Sequence, residues 1–297
     1  MISICIPVYN RNISSLVEKL NELRQNHPGY QVEILVMDDA SPDAGIRQKN
    51  RVACENFNVV YYELPENQGR CRIRTSLAEK ATGKHLIFLD DDSIISSDEF
   101  LRNYLRFFPF KERVYLGGRI YPVNPPDHNG ILHWKYGRSR EVLNNSDFPP
   151  PFMTCNFLIE KELFLSLIVD NDLEGYGHED SFIGAQLLTA GVHPVIVHNP
   201  VLHERIQPAD QFLLLQKEAL KNLSDLYKKY EKRFAISRQV RLLRAYEQLK
   251  KWRLAGIFRL FFRLCRPLLE KQLRGTNPSM LALDIYKLGS FADLHHD

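Results

Sequence analysis

No run of eighteen uncharged apolar residues occurs in the chain, so no membrane-spanning helix is expected. The opening apolar run Ile2-Ser3-Ile4-Cys5-Ile6 is too short for a secretory signal and has no basic flank, which points to the cytoplasm. Cysteines are few: Cys5, Cys54, Cys71, Cys155 and Cys265 are odd in number, scattered and never spaced as CxxC. That argues against a disulfide framework and a cysteine zinc site, and for reduced thiols. Charge of one sign is also scarce. The formal net charge of +3 is too small to argue for nucleic acid as a partner. Internal repeats and low-complexity tracts are missing too, which removes solenoids and fibrous arrays from consideration.

What is present is an ordinary globular composition, 44% hydrophobic and 25% charged over 297 residues, enough for one large domain or a domain with an appendage. Ile2–Val8 is expected as a buried strand and Ser14–Gln25 as a helix with Leu16, Leu20 and Leu23 on one face. Val32–Met37 and Val59–Leu64 read as the next strands, followed by a helix from about Arg70 to Ala81 and a strand over Leu86–Leu89. This alternation implies α/β architecture, a mostly parallel sheet flanked by helices. From Arg113 to His203 the pattern is less regular, because Pro122, Pro125, Pro126, Pro149, Pro150 and Pro151 forbid a continuous helix. Helices are expected over Phe157–Leu167 and Glu179–Ala190, and a last strand over Val195–Val197. Beyond Pro208 the chain reads as helical through Leu273. The expected organisation is therefore an α/β domain over residues 1–207 and a helical extension over 208–297.

Three polar clusters, Tyr9-Asn10, Asp38-Asp39 and Asp90-Asp91-Asp92, each follow the carboxyl end of an expected strand. Open α/β sheets bind ligands in the crevice at those ends. Three adjacent carboxylates repel one another, and a cation relieves that cost. Asp90 and Asp92 alternate to one side, as a hard divalent ion such as Mg²⁺ or Mn²⁺ requires. The triplet by itself is equally compatible with a solvated acidic turn that caps the next helix.

The order of motifs narrows this. Ile4-Cys5-Ile6-Pro7-Val8-Tyr9-Asn10 is followed by Val36-Met37-Asp38-Asp39-Ala40-Ser41, then Glu66-Asn67-Gln68-Gly69-Arg70 with Arg72 and Arg74, then the aspartate triplet. As a set, over roughly residues 1–205, these resemble the family-2 glycosyltransferases, whose fold is the Rossmann-like GT-A fold. The resemblance implies an inverting transferase that takes a nucleoside-diphosphate sugar, a UDP-sugar in the first instance, with Mn²⁺ or Mg²⁺ as cofactor. By the same resemblance Pro7 and Tyr9 line the nucleotide base, and Asp39 hydrogen-bonds base or ribose. Arg70 and Arg74 approach base or diphosphate, and Asp91 contacts ribose. Asp90 and Asp92 serve the metal, with His203 completing its coordination and His198 a nearby competitor. Asn156, in Met153-Thr154-Cys155-Asn156-Phe157, binds the donor sugar or caps the helix that follows.

Gly175-Tyr176-Gly177-His178-Glu179-Asp180 is the second strong motif. An inverting transfer needs one carboxylate to take the acceptor hydroxyl's proton, and a glycine-rich turn ending in Glu-Asp at a helix start can deliver it. Asp180 is assigned as the base and Glu179 as acceptor-binding or supporting, with the reverse assignment open. The same residues also make sense as an acidic first helical turn.

Between Arg238 and Arg274 eleven basic residues face only Glu247 and Glu270. Leu254, Ile257, Phe258, Phe261, Phe262 and Cys265 form an apolar stripe beside Arg259, Arg263 and Arg266. That pattern fits an amphipathic helix on an anionic membrane, or a helix packed on its own domain with a basic outer face. The resemblance implies a glycan or lipid-linked acceptor. Two alternatives are carried: a sugar nucleotidyltransferase, whose glycine-rich phosphate loop Val8-Tyr9-Asn10-Arg11 lacks, and a non-catalytic nucleotide-sugar-binding or glycan-binding subunit, which has no use for Asp180.

Overall fold

The computed structural model of the chain describes residues 1–144, 149–168 and 176–295. Its elements run β1 (Ile2–Val8), α1 (Ser14–Gln25), β2 (Val32–Asp38), α2 (Ala44–Asn56), β3 (Val60–Glu63), α3 (Gly69–Lys80), β4 (His85–Leu89), β5 (Ser93–Ile94), α4 (Phe100–Leu105), β6 (Val114–Leu116) and β7 (Arg119–Ile120). Then follow α5 (Ile131–Tyr136), β8 (Asn156–Glu160), α6 (Lys161–Ser166), α7 (Glu179–Thr189), β9 (Val195–Ile196), β10 (Val201–His203), α8 (Ala209–Phe234), α9 (Arg241–Lys251), α10 (Ala255–Leu273) and α11 (Met280–Leu294). The chain divides into two compact units. The first comprises Met1–Ile120, Leu143–Asp172 and Val192–Glu204; the second comprises Tyr121–Val142, Leu173–Gly191 and Arg205–Asp297. Where the sequence suggests one cut at residue 207, packing therefore groups two internal stretches with the C-terminal helices.

The first unit is built on a seven-stranded sheet of order β3-β2-β1-β4-β8-β6-β9. β1 lies between β2 and β4 and is parallel to both. This central place suits its sequence, since Ile2, Ile4, Ile6 and Val8 are almost wholly buried with Leu16, Val17 and Leu20 of α1. Each such side chain contributes about 1.5–3 kcal/mol on burial. The Asp43 carboxylate starts α2 by accepting from the amides of Gly45 and Ile46, at 2.8 and 3.1 Å. A small sheet, β5-β10-β7, sits beside the large one in sequence but pairs separately.

One expectation fails here. Residues 157–160 are not helical; Asn156–Glu160 is strand β8, antiparallel to both β4 and β6, and only Lys161–Ser166 is helix. A short apolar run such as Asn-Phe-Leu-Ile-Glu has no period that separates a buried strand from a buried helix, so its pairing partners decide.

The second unit is helical. α8 is long and amphipathic, and α11, beyond the last helix expected from sequence, is started by the Ser279 hydroxyl accepting from the Ala282 amide at 3.3 Å. α10 packs on α11 through Phe262, which is fully buried and lies 6.0 Å from the Tyr286 ring, against Gly289, where no side chain would fit. The apolar stripe is thus rotated from the one expected. Phe262 faces inward, while Ile257, Leu260, Phe261, Leu264 and Leu268 face solvent.

Candidate active site

In the first unit the carboxyl ends of β1, β2 and β4 converge. Asp38 ends β2, and its carboxylate accepts from both the amide and the hydroxyl of Ser41, at 2.7 and 2.8 Å. The Ser41 hydroxyl in turn accepts from the Asn10 amide at 2.7 Å, which ties the loop after β1 to the loop after β2. Pro7 lies in register with Met37 just below this junction, and Tyr9 beyond it is exposed. Asp39 is buried; its two oxygens accept from the amides of Gln68 and Gly69 at 2.7 and 3.0 Å, so it anchors the start of α3. Burial raises its pKa, opposed by those two amides.

The triplet at the end of β4 splits into three environments. Asp90 sits among arginines. Arg74 donates to it at 2.5 Å, and the guanidinium groups of Arg119 and Arg70 lie 3.7 and 4.0 Å away. Arg74 is nearly buried, also donates to the Arg70 carbonyl at 2.8 Å, and keeps a buried Nε with no hydrogen-bond partner among the described residues. Asp91 accepts from the Tyr9 amide at 3.1 Å and is pushed up to about 6, chiefly by burial. Asp92 lies 3.2 Å from Nδ1 of His203. Burial pushes its carboxyl up, but the His203 hydrogen bond and the charges of His203, Arg119 and Arg11 outweigh it and hold the group well below the usual range.

His203 reaches Asp92 because β10 pairs with β5, which sets His203 opposite Ser93, the residue after Asp92. Its competitor His198 is exposed and precedes that strand. The expected trio of Asp90, Asp92 and His203 is therefore only partly assembled. Among the described residues no three His, Cys, Asp or Glu side chains converge as ready metal ligands. Asp92 and His203 do adjoin and offer an oxygen and a nitrogen donor to a divalent ion. Asp90 is turned instead to guanidinium, a close and strong partner for a carboxylate.

Asn156 requires a correction. It caps no helix, and its side chain is fully buried within β8. Its amide nitrogen donates to the carbonyls of Gly118 and Asn199 at 3.0 and 2.7 Å, and its oxygen accepts from the Tyr104 hydroxyl at 2.8 Å. Buried, with both amide hydrogens donated to those carbonyls, the residue braces the segment after β6. Arg119 and Arg11 were missed by sequence reading. Neither lies in a motif, and their relation to the aspartates exists only once distant strands are paired.

The second unit holds the other motif. Gly175 lies outside the described residues. Gly177 has φ +101, and a Cβ there would stand 2.5 Å from that of Ala219 on α8, so only glycine suits the turn. The side-chain amide of Asn222 donates to the Tyr176 carbonyl at 3.2 Å. His178, in the left-handed region, then leads into α7 with Glu179 and Asp180 in its first turn. The Asp180 carboxylate accepts from the Ser181 amide at 2.6 Å, yet burial first, then the carboxylates of Glu179 and Glu141, push it up to about 7. The sequence reading also missed Lys287, on the unexpected helix α11. Its ammonium donates to the Tyr136 hydroxyl at 3.4 Å and lies over that ring. Burial lowers it to about 8, against Asp284, Glu141 and Asp180, which favour its charge. Asp180 and Lys287 thus both titrate far closer to neutrality than isolated groups do.

The sequence profile described as glycosyl transferase family 2 matches residues 3–166. An uncharacterized glycosyltransferase of Haemophilus influenzae is 34% identical over 110 residues, 36% of this chain and 42% of that protein. The poly(ribitol-phosphate) beta-glucosyltransferase of Bacillus spizizenii is 35% identical over 106 residues, 35% of this chain and 16% of that protein. The matched stretch thus spans less than half of either relative. Among solved structures, glucosyl-3-phosphoglycerate synthase from Mycobacterium tuberculosis, in complex with Mn²⁺, UDP and glucosyl-3-phosphoglycerate, superposes with a TM-score of 0.53 at 15% identity. That match covers 77% of this chain and 79% of that one. At that identity the likeness speaks for the fold.

Proposed function

The chain belongs to glycosyl transferase family 2, and from that premise we propose that it transfers a sugar from a nucleoside-diphosphate donor, a UDP-sugar, to an acceptor hydroxyl with inversion at the anomeric carbon. The observation that carries this reading is the Asp92–His203 pair set beside Asp91 and the arginine-bound Asp90 at the end of β4. In the proposed reaction Tyr9 and Pro7 flank the base, Asp39 serves base or ribose, and Asp91 meets ribose. Arg70, Arg74 and Arg119 offset the charge of the diphosphate, where planar guanidinium forks suit phosphate oxygens. Asp92 and His203 would hold a divalent ion, which when bound supplies Lewis-acid stabilisation to the departing diphosphate. A nitrogen ligand favours Mn²⁺ over Mg²⁺, which prefers oxygen throughout.

The acceptor oxygen bonds to the anomeric carbon as the bond to the diphosphate breaks, and the acceptor's proton passes to Asp180. A carboxylate poised near neutrality suits a general base, since it is ionised at working pH and still takes a proton. Glu179 supports it by raising its basicity. The proposed acceptor is a glycan or lipid-linked sugar in assembly of a surface polymer, which for a lipid carrier would bring the protein to the inner face of the membrane.

The test is a donor screen with UDP-, GDP- and dTDP-sugars, with Mn²⁺ or chelator, counting released nucleotide. Metal-dependent release from one donor, abolished in Asp92→Ala, is the expected result. No release together with no metal-dependent nucleotide binding would overturn the reading in favour of a non-catalytic one.

A further inference from the structure

α10 is apolar on two opposite sides. Phe262 and Leu273 point inward and are fully buried, and Phe262 packs on α11. Ile257, Leu260, Phe261, Leu264 and Leu268 recur at intervals of three and four residues, so they share one face. That face is open: Ile257 is 68% exposed, Leu264 73% and Leu268 69%. Five large aliphatic and aromatic side chains in one exposed line are more than scattered surface apolar residues account for. Trp252, just before the helix, is 63% exposed.

The charges around this line are mostly cationic, and the acidic groups beside it are paired with arginines. Arg253 and Lys271 are exposed and bracket it at its two ends. Arg263 flanks it and pairs with Asp293 at 2.9 Å. The one acidic residue of α10, Glu270, is taken up by Arg266 and Arg274 at 3.0 and 3.3 Å. No described helix is long and apolar enough to cross a membrane. An apolar ridge framed by cations, on a helix held to its unit by the opposite side, has the chemistry that lies in the interface of an anionic bilayer. A protein partner of matching chemistry would need an acidic rim around an apolar groove, whereas anionic lipid offers both everywhere.

We infer that the outward face of α10 is a docking surface for anionic lipid, with Ile257, Leu260, Phe261, Leu264 and Leu268 entering the acyl boundary and Arg253 and Lys271 meeting headgroup phosphates. The inference stands apart from the transfer chemistry, since it uses no residue of the proposed site.

The experiment is vesicle co-sedimentation of the whole chain, comparing phosphatidylglycerol mixed into phosphatidylcholine with phosphatidylcholine alone, with Trp252 fluorescence as a second readout. Binding to the anionic vesicles, weakened by salt and accompanied by a blue shift, is expected. Leu260→Asp with Leu264→Asp should weaken it at least about tenfold. Arg253→Gln with Lys271→Gln should weaken it about fivefold per charge. Leu165→Asp, at an exposed apolar position in the other unit, should leave it unchanged. Donor hydrolysis should be unaffected by every one of these variants, which separates this inference from the catalytic one. If circular dichroism shows the leucine pair unfolded, the charge pair decides. Failure to bind anionic vesicles overturns the inference, as does binding that survives both pairs, or a dimer that both pairs dissolve.

Discussion

Asp180 and its neighbours carry the predictions that belong to single residues. Its pKa is raised to about 7 in the folded protein by burial and by Glu179. Below that pH the carboxyl is protonated and cannot accept a proton, so kcat/KM should climb with pH through neutrality. Asp180→Asn should lower kcat by about 10²–10⁴-fold and remove that limb. Lys287 favours the charged form of Asp180, so Lys287→Met should move the limb to higher pH, and Lys287→Arg should restore it; a pH–rate profile of the three proteins checks both. Asn156 is predicted to behave oppositely. Asn156→Ala removes a donor from the Gly118 and Asn199 carbonyls and the acceptor of the Tyr104 hydroxyl, leaving the Gly118 carbonyl only its bond from the Val201 amide. It should cost about 2–4 kcal/mol of stability by denaturant unfolding, with little change in donor KM. Neither Lys287 nor the bracing role of Asn156 was legible in the sequence, because a lone lysine or asparagine acquires its role from what is packed on it. Asp92 and Asp180 could be singled out as candidates from the sequence, because each sits in a short motif whose chemistry is local.

At the scale of elements, strand ends and helix starts set the candidate site. The turn into α7 depends on Gly177, whose φ of +101 and contact with Ala219 leave no room for a side chain. Gly177→Ala should destabilise by about 1–3 kcal/mol. It should also lower kcat more than it raises KM, since it displaces Asp180 without removing it; steady-state kinetics with a thermal melt separates the two effects. β10 shows a different dependence. It is three residues long, carries little signal of its own, and yet sets His203 beside Asp92 by pairing with β5. β8 likewise reads as helix until β4 and β6 hydrogen-bond to it. Short elements of this kind are defined by their partners, whereas β1, β2 and α1 are long and periodic enough to be recognised alone.

For the whole molecule, occupancy should couple to stability. Mn²⁺ with UDP, at about a hundredfold over the dissociation constant, should stabilise the protein by roughly 2.7 kcal/mol. That corresponds to a rise in Tm of about 4–5 °C, and the rise should vanish in Asp92→Ala and His203→Ala when followed by calorimetry. The sequence by itself determined the α/β sheet, its buried first strand β1, the strand-end clusters and the acidic start of α7. Hydrophobic period, turn residues and motif spacing act within a few residues and survive without the fold. Only the tertiary structure decided that Asp90 rests among Arg74, Arg70 and Arg119, that Asp92 finds His203, and that Lys287 shares its surroundings with Asp180. It also decided that Phe262 turns inward while Leu264 turns out. These arrangements join residues far apart in the chain, and their energies are pairwise terms that exist only after strands and helices have packed.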